Sequence, residues 1–340
     1  MAATVREATA AQEGALLEVR GLTTEFRSRD ATIRANADVS LTLERAATLG
    51  IVGESGSGKS VLCRSILRLI PSPPGFISAG EVRFEGRDLL RLNHEEIRRM
   101  RGTQIRMVFQ NPMTSLNPVW PIGDQITEGL RAHDGLSAAA ARDRGIELLG
   151  RVGIPSPARR YDEYPFQWSG GMLQRAVIAM AMAGEPKLLL ADEPTTALDV
   201  TIQDQILALL LELQDRNHMA MILVSHDLAV VAETCDSVAV MYAGRIVEAA
   251  PTRQLFEAPR HPYTLGLLSS IPRLGDHAQR LVPIAGQPPS LADLPPGCPF
   301  FERCRFASAD CATTPVRLRE VVPGHASACL YPERIAGRAR

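Results

Sequence analysis

An eight-residue glycine-rich loop constrains the fold of this chain more than any other feature. The segment GESGSGKS, residues 53–60, fits the pattern G-x-x-x-x-G-K-[ST]. An apolar run over residues 48–52 precedes it and is typical of a buried strand, and a helical apolar stripe over residues 61–69 follows it. Because the pattern needs a strand before the loop and a helix after it, these flanks predict a site for nucleotide phosphates.

The composition of this phosphate loop suits the binding of phosphate oxygens. Its three glycines let backbone N–H groups turn inward, and the start of the following helix adds positive potential. Lys59 supplies a cation for the β- and γ-phosphates, and the hydroxyl of Ser60 is a ligand for Mg²⁺. We expect the whole loop to contact ATP, namely Gly53, Glu54, Ser55, Gly56, Ser57, Gly58, Lys59 and Ser60.

Two adjacent carboxylates follow a second apolar run. Residues 188–191 read Leu-Leu-Leu-Ala, as in a strand buried on both faces, and Asp192 and Glu193 come next. Alone, such a pair also fits the start of a helix, where acidic residues are common. Beside a phosphate loop, we expect Asp192 to hold the Mg²⁺ shell through water. We expect Glu193 to be the general base that orients the attacking water.

Further motifs, in their order along the chain, make it resemble the ABC-type ATPases. Ser-Gly-Gly at residues 169–171 is similar to the family signature, and Ala-Leu-Asp at 197–199 is similar to the D-loop. A glutamine and a histidine, each following a predicted strand, correspond to the Q-loop and the switch histidine. An aromatic residue upstream corresponds to the one that stacks on adenine. The matching positions are Phe26, Gln110, Ser169, Gly170, Gly171, Asp199 and His226.

The sequences of these motifs resemble most closely those of the ATP-binding subunits of oligopeptide and dipeptide importers. The segments FQNPMTSLNP (109–118) and ADEPTTALDVT (191–201) carry this resemblance, together with HPYT (261–264). Met172, where most ABC proteins have Gln, favours the first, "D", type of the two paired ATPases of such importers. Trp168 departs from the family, which usually has Leu there.

This resemblance implies an α/β ATPase of the P-loop class. Strands alternating with helices around the two phosphate motifs already indicate a mainly parallel sheet. The family adds a RecA-like core, an antiparallel β edge, an inserted helical subdomain that carries the signature, and a C-terminal extension. We divide the chain into a disordered lead (1–14), the ATPase domain (15–255, with its helical subdomain at about 112–182) and the extension (256–340). We expect the phosphate loop to belong to a domain packed separately from the extension.

The implied function is the hydrolysis of ATP to power peptide import. Ser60 and Gln110 would bind Mg²⁺, and Glu193 and His226 would act in hydrolysis. Each ATP would lie between the phosphate loop of one ATPase and the signature of a second. The further implied partners are two transmembrane permease subunits and an extracytoplasmic peptide-binding protein, with no nucleic acid. The expected location is the cytoplasmic face of the membrane, reached through the permeases.

Three other functions stay open. The same type of ATPase could drive an importer of nickel or of another small solute. An ABC ATPase of DNA repair or translation is less favoured, because a coiled-coil insertion or a second cassette would be expected and neither is seen. A cassette that only binds ATP is disfavoured by Glu193 and His226. The near-neutral formal charge of −1 indicates no general attraction to nucleic acid or anionic membranes.

No stretch of the sequence resembles a membrane span or a signal peptide. The longest apolar runs are far shorter than the ~20 residues that a spanning helix needs. Residues 1–14 lack an apolar core and contain Glu7 and Glu13, which is unlike a signal peptide. Both observations favour a chain that meets the membrane only through partner proteins.

Four of the six cysteines lie in the last 43 residues, separated by gaps of five, six and seventeen. A cysteine cluster in a cytosolic protein favours metal over disulfides. Structural zinc sites usually contain a tight C-x₂₋₄-C pair, which these gaps lack, whereas a [4Fe–4S] cluster accepts four thiolates from loops. The family resemblance also favours that cluster, with zinc, bare thiols or a labile disulfide as alternatives. The expected ligands are Cys298, Cys304, Cys311 and Cys329, while Cys63, Cys235 and His325 are expected to be structural.

Overall fold

The computed structural model describes residues 14–29, 31–196, 198–270, 284–335 and 337. The predicted N-terminal lead, except Gly14, lies outside these residues, and so does Ala197 of the D-loop. The strands are β1 (Leu17–Arg27), β2 (Thr32–Leu43), β3 (Thr48–Val52), β4 (Gly75–Phe84), β5 (Arg87–Asp88), β6 (Ile105–Val108), β7 (Leu188–Asp192), β8 (Ala220–Ser225), β9 (Ser237–Tyr242), β10 (Arg245–Pro251), β11 (Arg319–Val322) and β12 (His325–Ser327).

The helices fall mainly between the strands of the ATPase domain. They are α1 (Lys59–Ile66), α2 (His94–Thr103), α3 (Pro112–Ser115), α4 (Ile122–His133), α5 (Ala138–Arg151), α6 (Pro157–Arg160), α7 (Gly170–Met182), α8 (Val200–Asn217), α9 (Leu228–Thr234), α10 (Thr252–Glu257) and α11 (Pro262–Ser269). The helix after the phosphate loop therefore begins two residues earlier and ends three residues earlier than the apolar stripe at 61–69 predicted. Among these helices, none has the length and apolar character to cross a bilayer.

An eight-stranded sheet forms the core, in the order β11-β12-β10-β9-β3-β8-β7-β6. The strands from β9 to β6 pair in parallel, which confirms the predicted parallel core. Strands β3, β7 and β8 are buried along their whole length, as their continuous apolar sequences predict. The strands β2, β1, β4 and β5 form a separate antiparallel sheet in that order, which is the predicted antiparallel β edge.

Helices α3–α7 lie between Pro112 and Met182, the interval predicted for the helical subdomain. The ring of Tyr161 occupies the centre of this group, since an added Cβ on Gly123 would lie 2.3 Å from it. Its hydroxyl lies 3.0 Å from that of Thr127 on α4. Close approach of α4 to Tyr161 therefore depends on a residue without a side chain at position 123.

Trp168, the unusual residue before the signature, is a core residue of this helical region. Only 7% of its surface is exposed. Its indole N–H donates a hydrogen bond of 2.8 Å to the carboxylate of Glu163, which also pairs with Arg160. A buried indole needs such an acceptor. The substitution of Leu by Trp is thus accommodated by Glu163, five residues earlier in the chain.

The C-terminal extension packs against the ATPase core, so the expectation of separate packing is wrong. Strand β12 pairs with β10 of the core sheet, and β11 pairs with β12. Phe300 is a member of the main hydrophobic core, and Cys298 and Cys304 pack against it. Residues 284–296 contain no helix or strand.

Two neighbouring aromatic residues allow a test of the role of Trp168 in the fold. Trp168→Ala should lower the free energy of unfolding by about 3 kcal/mol, because it leaves a cavity and removes one of the hydrogen-bond donors to Glu163. Phe166→Ala is the matched control: Phe166 is 75% exposed, and surface changes usually stay within about 0.5 kcal/mol. Urea unfolding of each variant, followed by far-ultraviolet circular dichroism of the backbone, measures the two free energies. Equal losses for the two variants would contradict the assignment.

Candidate functional site

The phosphate loop joins β3 to α1 and passes close to neighbouring backbone. Gly53 has φ of +154°, and an added Cβ there would lie 2.2 Å from the carbonyl oxygen of Met241. Gly58 has φ of +103°, and its added Cβ would lie 2.4 Å from the carbonyl oxygen of Ala35. Both positions therefore need glycine, for conformation and for space. These contacts fix the loop between β9 and β2.

Lys59 is buried at the centre of the loop, with 5% of its surface exposed. Its ammonium group donates hydrogen bonds to the carbonyl oxygens of Gly53 (2.8 Å) and Glu54 (3.0 Å). It also lies 3.9 Å from Oε1 of Glu193. Burial lowers the pKa of Lys59, and the nearby carboxylates oppose that effect. The cation is thus held within reach of both the loop and the carboxylate of Glu193.

Ser60 and Asp192 meet where β3 and β7 end. The hydroxyl of Ser60 donates a hydrogen bond of 2.8 Å to Oδ1 of Asp192. Burial raises the pKa of Asp192, while the bond from Ser60 acts in the opposite direction. A hydroxyl beside a carboxylate suits Mg²⁺, which binds proteins through one or two carboxylates and keeps its remaining positions for water and substrate phosphates. The two residues predicted for Mg²⁺ from these motifs therefore lie together.

Glu193 is the point at which the predicted hydrolytic residues meet. Its Oε2 accepts hydrogen bonds from Nε2 of Gln110 (3.0 Å) and from Oγ1 of Thr196 (2.9 Å). Nδ1 of His226 lies 3.4 Å from the same oxygen. Gln110, Glu193 and His226 follow the parallel strands β6, β7 and β8, so strand pairing brings them to one edge of the sheet. The sequence analysis missed Thr196, although it lies within the segment ADEPTTALDVT.

The backbone of Glu193 adopts a left-handed conformation, with φ of +47°. A residue with a side chain pays about 1–3 kcal/mol for such a conformation and keeps it only when its surroundings require it. Here the N–H of Glu193 donates a hydrogen bond of 3.1 Å to the carbonyl oxygen of Val224 on β8. The strained backbone thus directs the carboxylate toward Gln110 and His226.

The signature residues do not join this group. Ser169 caps α7, where its hydroxyl accepts a hydrogen bond from the N–H of Met172. Added Cβ atoms on Gly170 and Gly171 would contact Leu198 and Ile202, respectively. Asp199 caps α8 and accepts a hydrogen bond of 3.0 Å from the N–H of Ile202. The signature and the described part of the D-loop are therefore neighbours.

Phe26, predicted to stack on adenine, lies half-buried on β1. Its ring is close to Gly75 of β4, where an added Cβ would lie 2.8 Å from the ring. Strand pairing also places Phe26 opposite Ile33 of β2. The stacking role of this ring stays a prediction.

Glu54, the second residue of the loop, contacts Tyr263 of the HPYT segment and Arg303, and no contact of either residue with the loop was predicted. Its N–H donates a hydrogen bond of 2.8 Å to the hydroxyl of Tyr263. Its carboxylate pairs with the guanidinium of Arg303, at 2.7 and 2.9 Å. Both partners come from beyond residue 255, in the predicted extension. A sequence pattern gives no sign of contacts over such separations.

All four C-terminal cysteines line one pocket, together with His261 and Phe300. The six cysteines are free thiols. Burial raises the pKa of Cys298 to about 12 and that of Cys329 to about 11. Within the described ranges, however, no group of three or more His, Cys, Asp or Glu side chains is arranged to hold a metal ion. The side-chain positions therefore do not support the predicted iron–sulfur cluster or the zinc alternative.

His325, Cys63 and Cys235, which were expected to be structural, are all buried, and His325 has a carboxylate partner. Nε2 of His325 lies 2.6 Å from Oε1 of Glu248, and both side chains are buried. Cys63 and Cys235 are buried in the ATPase domain, where burial raises the pKa of each thiol. These contacts agree with the structural interpretation of the three residues.

Two family descriptions match parts of this chain. The ABC transporter family matches residues 37–196. The C-terminal region of oligopeptide and dipeptide transporters matches residues 247–311. A protein of Brucella melitensis (BMEII0863), provisionally named a peptide import ATP-binding protein, is 51% identical over 332 residues, which is 94% of this chain and 98% of that protein. A protein of Brucella abortus with the same provisional description (BAB2_1052) is 52% identical over 314 residues, covering 92% and 94%.

Solved structures give the same fold. The dimeric ATP-binding cassette MJ0796, in a post-hydrolysis state bound to ADP and Pi, has a TM-score of 0.63 and 27% identity to this chain. The match covers 70% of this chain and 99% of MJ0796. The protein cbiO1 of Clostridium perfringens, part of the ABC transporter complex cbiONQ, has a TM-score of 0.61 and 27% identity, covering 72% and 91%.

The contact between Thr196 and Glu193 generates a prediction. Thr196→Val should lower kcat for ATP hydrolysis about tenfold, because the carboxylate loses one of the groups that orient it, an effect within the range of general-base catalysis. KM for ATP should stay unchanged, since Lys59 and the loop are untouched. Thr196→Ser keeps the hydroxyl and should retain the wild-type kcat. Steady-state assays of phosphate release measure both, and a Val variant as fast as the Ser variant would contradict the role.

Proposed function

This chain belongs to the ATP-binding subunits of ABC transporters, and we propose that it hydrolyses ATP to power the import of peptides through a membrane complex. The observation that carries the hydrolytic part is the meeting of Gln110, Thr196 and His226 at the carboxylate of Glu193, beside Lys59. A base held by donors near a phosphate-binding cation is the arrangement that phosphoryl transfer to water requires.

The chain's own groups divide the work of hydrolysis. Lys59 would release its loop carbonyls and bind the β- and γ-phosphates. Ser60 and Gln110 would hold Mg²⁺ directly and Asp192 would hold it through water, and the bound ion would supply positive charge for the phosphate oxygens. Glu193 would accept the proton of the attacking water, with His226 beside it at the γ-phosphate. Phe26 would stack on the adenine.

A second ATPase would complete each nucleotide site. Ser169, Gly170, Gly171 and Asp199 lie together but outside the group around Glu193. Residues so placed are free to contact a nucleotide bound by a partner chain. ATP would bind the closed pair more tightly than the open pair, and hydrolysis would reverse that preference, which is what couples the cycle to movement. We propose a related sister chain as the partner.

The peptide substrate is supported by the C-terminal region of the chain. Residues 247–311 match the C-terminal region of oligopeptide and dipeptide transporters, and relatives that are about half identical along nearly the whole chain are provisionally named for peptide import. We assign this chain the same role. The solute itself would be bound by an extracytoplasmic peptide-binding protein, so no residue here selects it.

Docking to two permease subunits at the cytoplasmic membrane face is supported by an apolar surface. Met113, Val119 and Trp120 follow the Gln110 segment, and each is exposed. Because such a cluster of large apolar side chains costs free energy in water, it is typical of a protein contact. Gln110 at the site and this surface belong to the same segment, so movement at one would reach the other.

Two substitutions test the ATPase assignment. Lys59→Ala should abolish ATP binding, because the buried cation for the phosphates is lost. Glu193→Gln should keep ATP binding but lower kcat at least ~10²-fold, since its carboxylate acts in the transition state. Equilibrium binding and phosphate release by the purified complex measure the two effects. Turnover by Glu193→Gln at the wild-type rate would reject this base.

The same complex in vesicles tests the substrate. Uptake of a labelled oligopeptide should need ATP and stop in Glu193→Gln. Ni²⁺ supplied with its own binding protein is the matched control and should neither enter nor stimulate hydrolysis. Uptake of Ni²⁺ without peptide uptake would reject peptide import and leave the ATPase assignment intact.

We also propose that the four C-terminal thiols hold a [4Fe–4S] cluster. Cys298, Cys304, Cys311 and Cys329 line one pocket and form no disulfide, although among the described residues their side chains are not arranged around a metal ion. Four thiolates supplied by loops are the ligands that such a cluster takes. Burial raises the pKa of Cys298 and Cys329, so these thiols stay protonated without metal, and cationic iron would stabilise their thiolates. The role would be to tie the extension together.

The cluster has a direct test. Protein purified without oxygen should be brown and contain iron and acid-labile sulfide, about four of each per chain. Cys304→Ser should bleach it. Cys235→Ser should leave the colour unchanged, because Cys235 lies in the ATPase core. A colourless preparation with one zinc per chain would contradict the cluster and keep the thiols as metal ligands.

A further inference from the structure

The C-terminal extension contacts the phosphate loop through one bidentate ion pair. Nη1 and Nη2 of Arg303 donate to the two carboxylate oxygens of Glu54, at 2.7 and 2.9 Å. The side chain of Arg303 is 6% exposed and that of Glu54 is 26% exposed. A two-point pair of this kind fixes direction as well as distance. The carboxylate of Glu54 is therefore held in one orientation.

Arg303 is itself fixed by further bonds. Its Nε donates to the carbonyl oxygen of Ala285 at 3.0 Å, and Nη1 lies 3.2 Å from the hydroxyl of Tyr242. Tyr242, Tyr263 and Phe300 pack on one another, with ring centroids 4.6 to 5.4 Å apart. The guanidinium thus extends from a rigid aromatic cluster and not from a mobile surface.

The backbone of Glu54 links this cluster to the cation of the site. Its N–H donates to the hydroxyl of Tyr263 at 2.8 Å, and its carbonyl oxygen accepts from Lys59 at 3.0 Å. One residue of the loop therefore contacts the extension through its N–H and carboxylate, and the phosphate-binding lysine through its carbonyl. A shift of Arg303 or Tyr263 would move Glu54 and change the setting of Lys59.

Charge gives the pair a second effect. Glu54 places a carboxylate in a loop that has to accept a polyphosphate, and like charges repel strongly at short range where water is partly excluded. Arg303 compensates that charge. Without Arg303, the carboxylate would be unpaired and free to turn toward the phosphates. Loss of Arg303 would therefore lower the affinity for nucleotide in two ways. It would let the loop shift, and it would leave a carboxylate that repels the phosphates.

We propose that Arg303 and Tyr263 are positioning residues for the phosphate loop, through which the C-terminal extension sets the affinity of the site for nucleotide. The inference rests on the proposed ATP binding. It assigns the extension a part in the energetics of the ATP site. The control point is Glu54, the loop residue that the extension contacts.

Binding of Mg-ADP to the full chain, followed by titration calorimetry, tests this proposal. Arg303→Ala should weaken binding about tenfold, within the range typical for coupling between two sites. Arg305→Ala is the matched control, because Arg305 is exposed and its guanidinium stacks over Phe306 instead. It should change the Kd less than about twofold. Equal losses for the two variants would overturn the proposal.

A double-mutant cycle separates the loop contact from general stability. In a Glu54→Gln background the charge that Arg303 compensates is gone, so Arg303→Ala should weaken binding less than about twofold further. A tenfold loss in both backgrounds would show an effect that bypasses Glu54 and would overturn the proposal. Arg303→Lys restores the charge but not the two-point pair, and should recover about half of the loss on a logarithmic scale.

Steady-state kinetics distinguishes a positioning role from a purely structural one. Only a positioning role would change KM for ATP while leaving kcat nearly unchanged. Arg303→Ala and the milder Tyr263→Phe should raise KM for ATP and keep kcat within about twofold, because the hydrolytic group around Glu193 is unaltered. A fall in kcat in proportion to unfolded protein, with KM unchanged, would overturn the inference. Loss of binding by Lys59→Ala with no effect of Arg303→Ala would reject this inference alone. A wild-type chain that binds no Mg-ADP would reject the ATPase function.

Discussion

The parallel pairing of β6, β7, β8 and β3 is the constraint on which the site depends. Parallel strands end at the same edge of a sheet, so residues that follow them are brought together whatever their separation in sequence. Gln110, Glu193, His226 and the phosphate loop each follow one of these strands. The apolar sequences of β3, β7 and β8 favour burial on both faces, and that burial fixes where these strands end. The positions of the site residues therefore depend on the hydrophobic packing of the strands that precede them.

The site also depends on a balance of opposite charges. Lys59 is buried beside the carboxylates of Glu193, Asp192 and Glu54, which oppose the lowering of its pKa by burial. The same carboxylates would repel a polyphosphate if they were unpaired. Ser60 bonds to Asp192, Gln110 and Thr196 bond to Glu193, and Arg303 pairs with Glu54. Each negative group near the phosphates thus has a donor of its own.

The sequence was sufficient to predict the parallel core, the helical interval from Pro112 to Met182 and the group around Glu193, because each depends on local motifs and strand order. It was insufficient for contacts made by tertiary packing alone. Arg303 and Glu54 are 249 residues apart, and neither lies in a pattern that indicates the other. Trp168 looked anomalous until its acceptor Glu163 was located. Separate packing of the extension was wrong because residue spacing does not reveal that Phe300 completes the core.

Because strand β12 lies far along the chain from the strand that it pairs with, folding of the ATPase core depends on the order in which the chain is translated. It covers the edge of β10, and its His325 is the partner of the buried Glu248, 77 residues earlier. At about 5–20 residues per second, a ribosome needs roughly 4–15 s to make that interval. During that time the nascent domain exposes an unpaired strand edge and a carboxylate without its imidazole, and open edges invite pairing with other chains. Completion of the ATPase core therefore waits for residues translated well after strand β10, and chaperones have a defined interval in which to act.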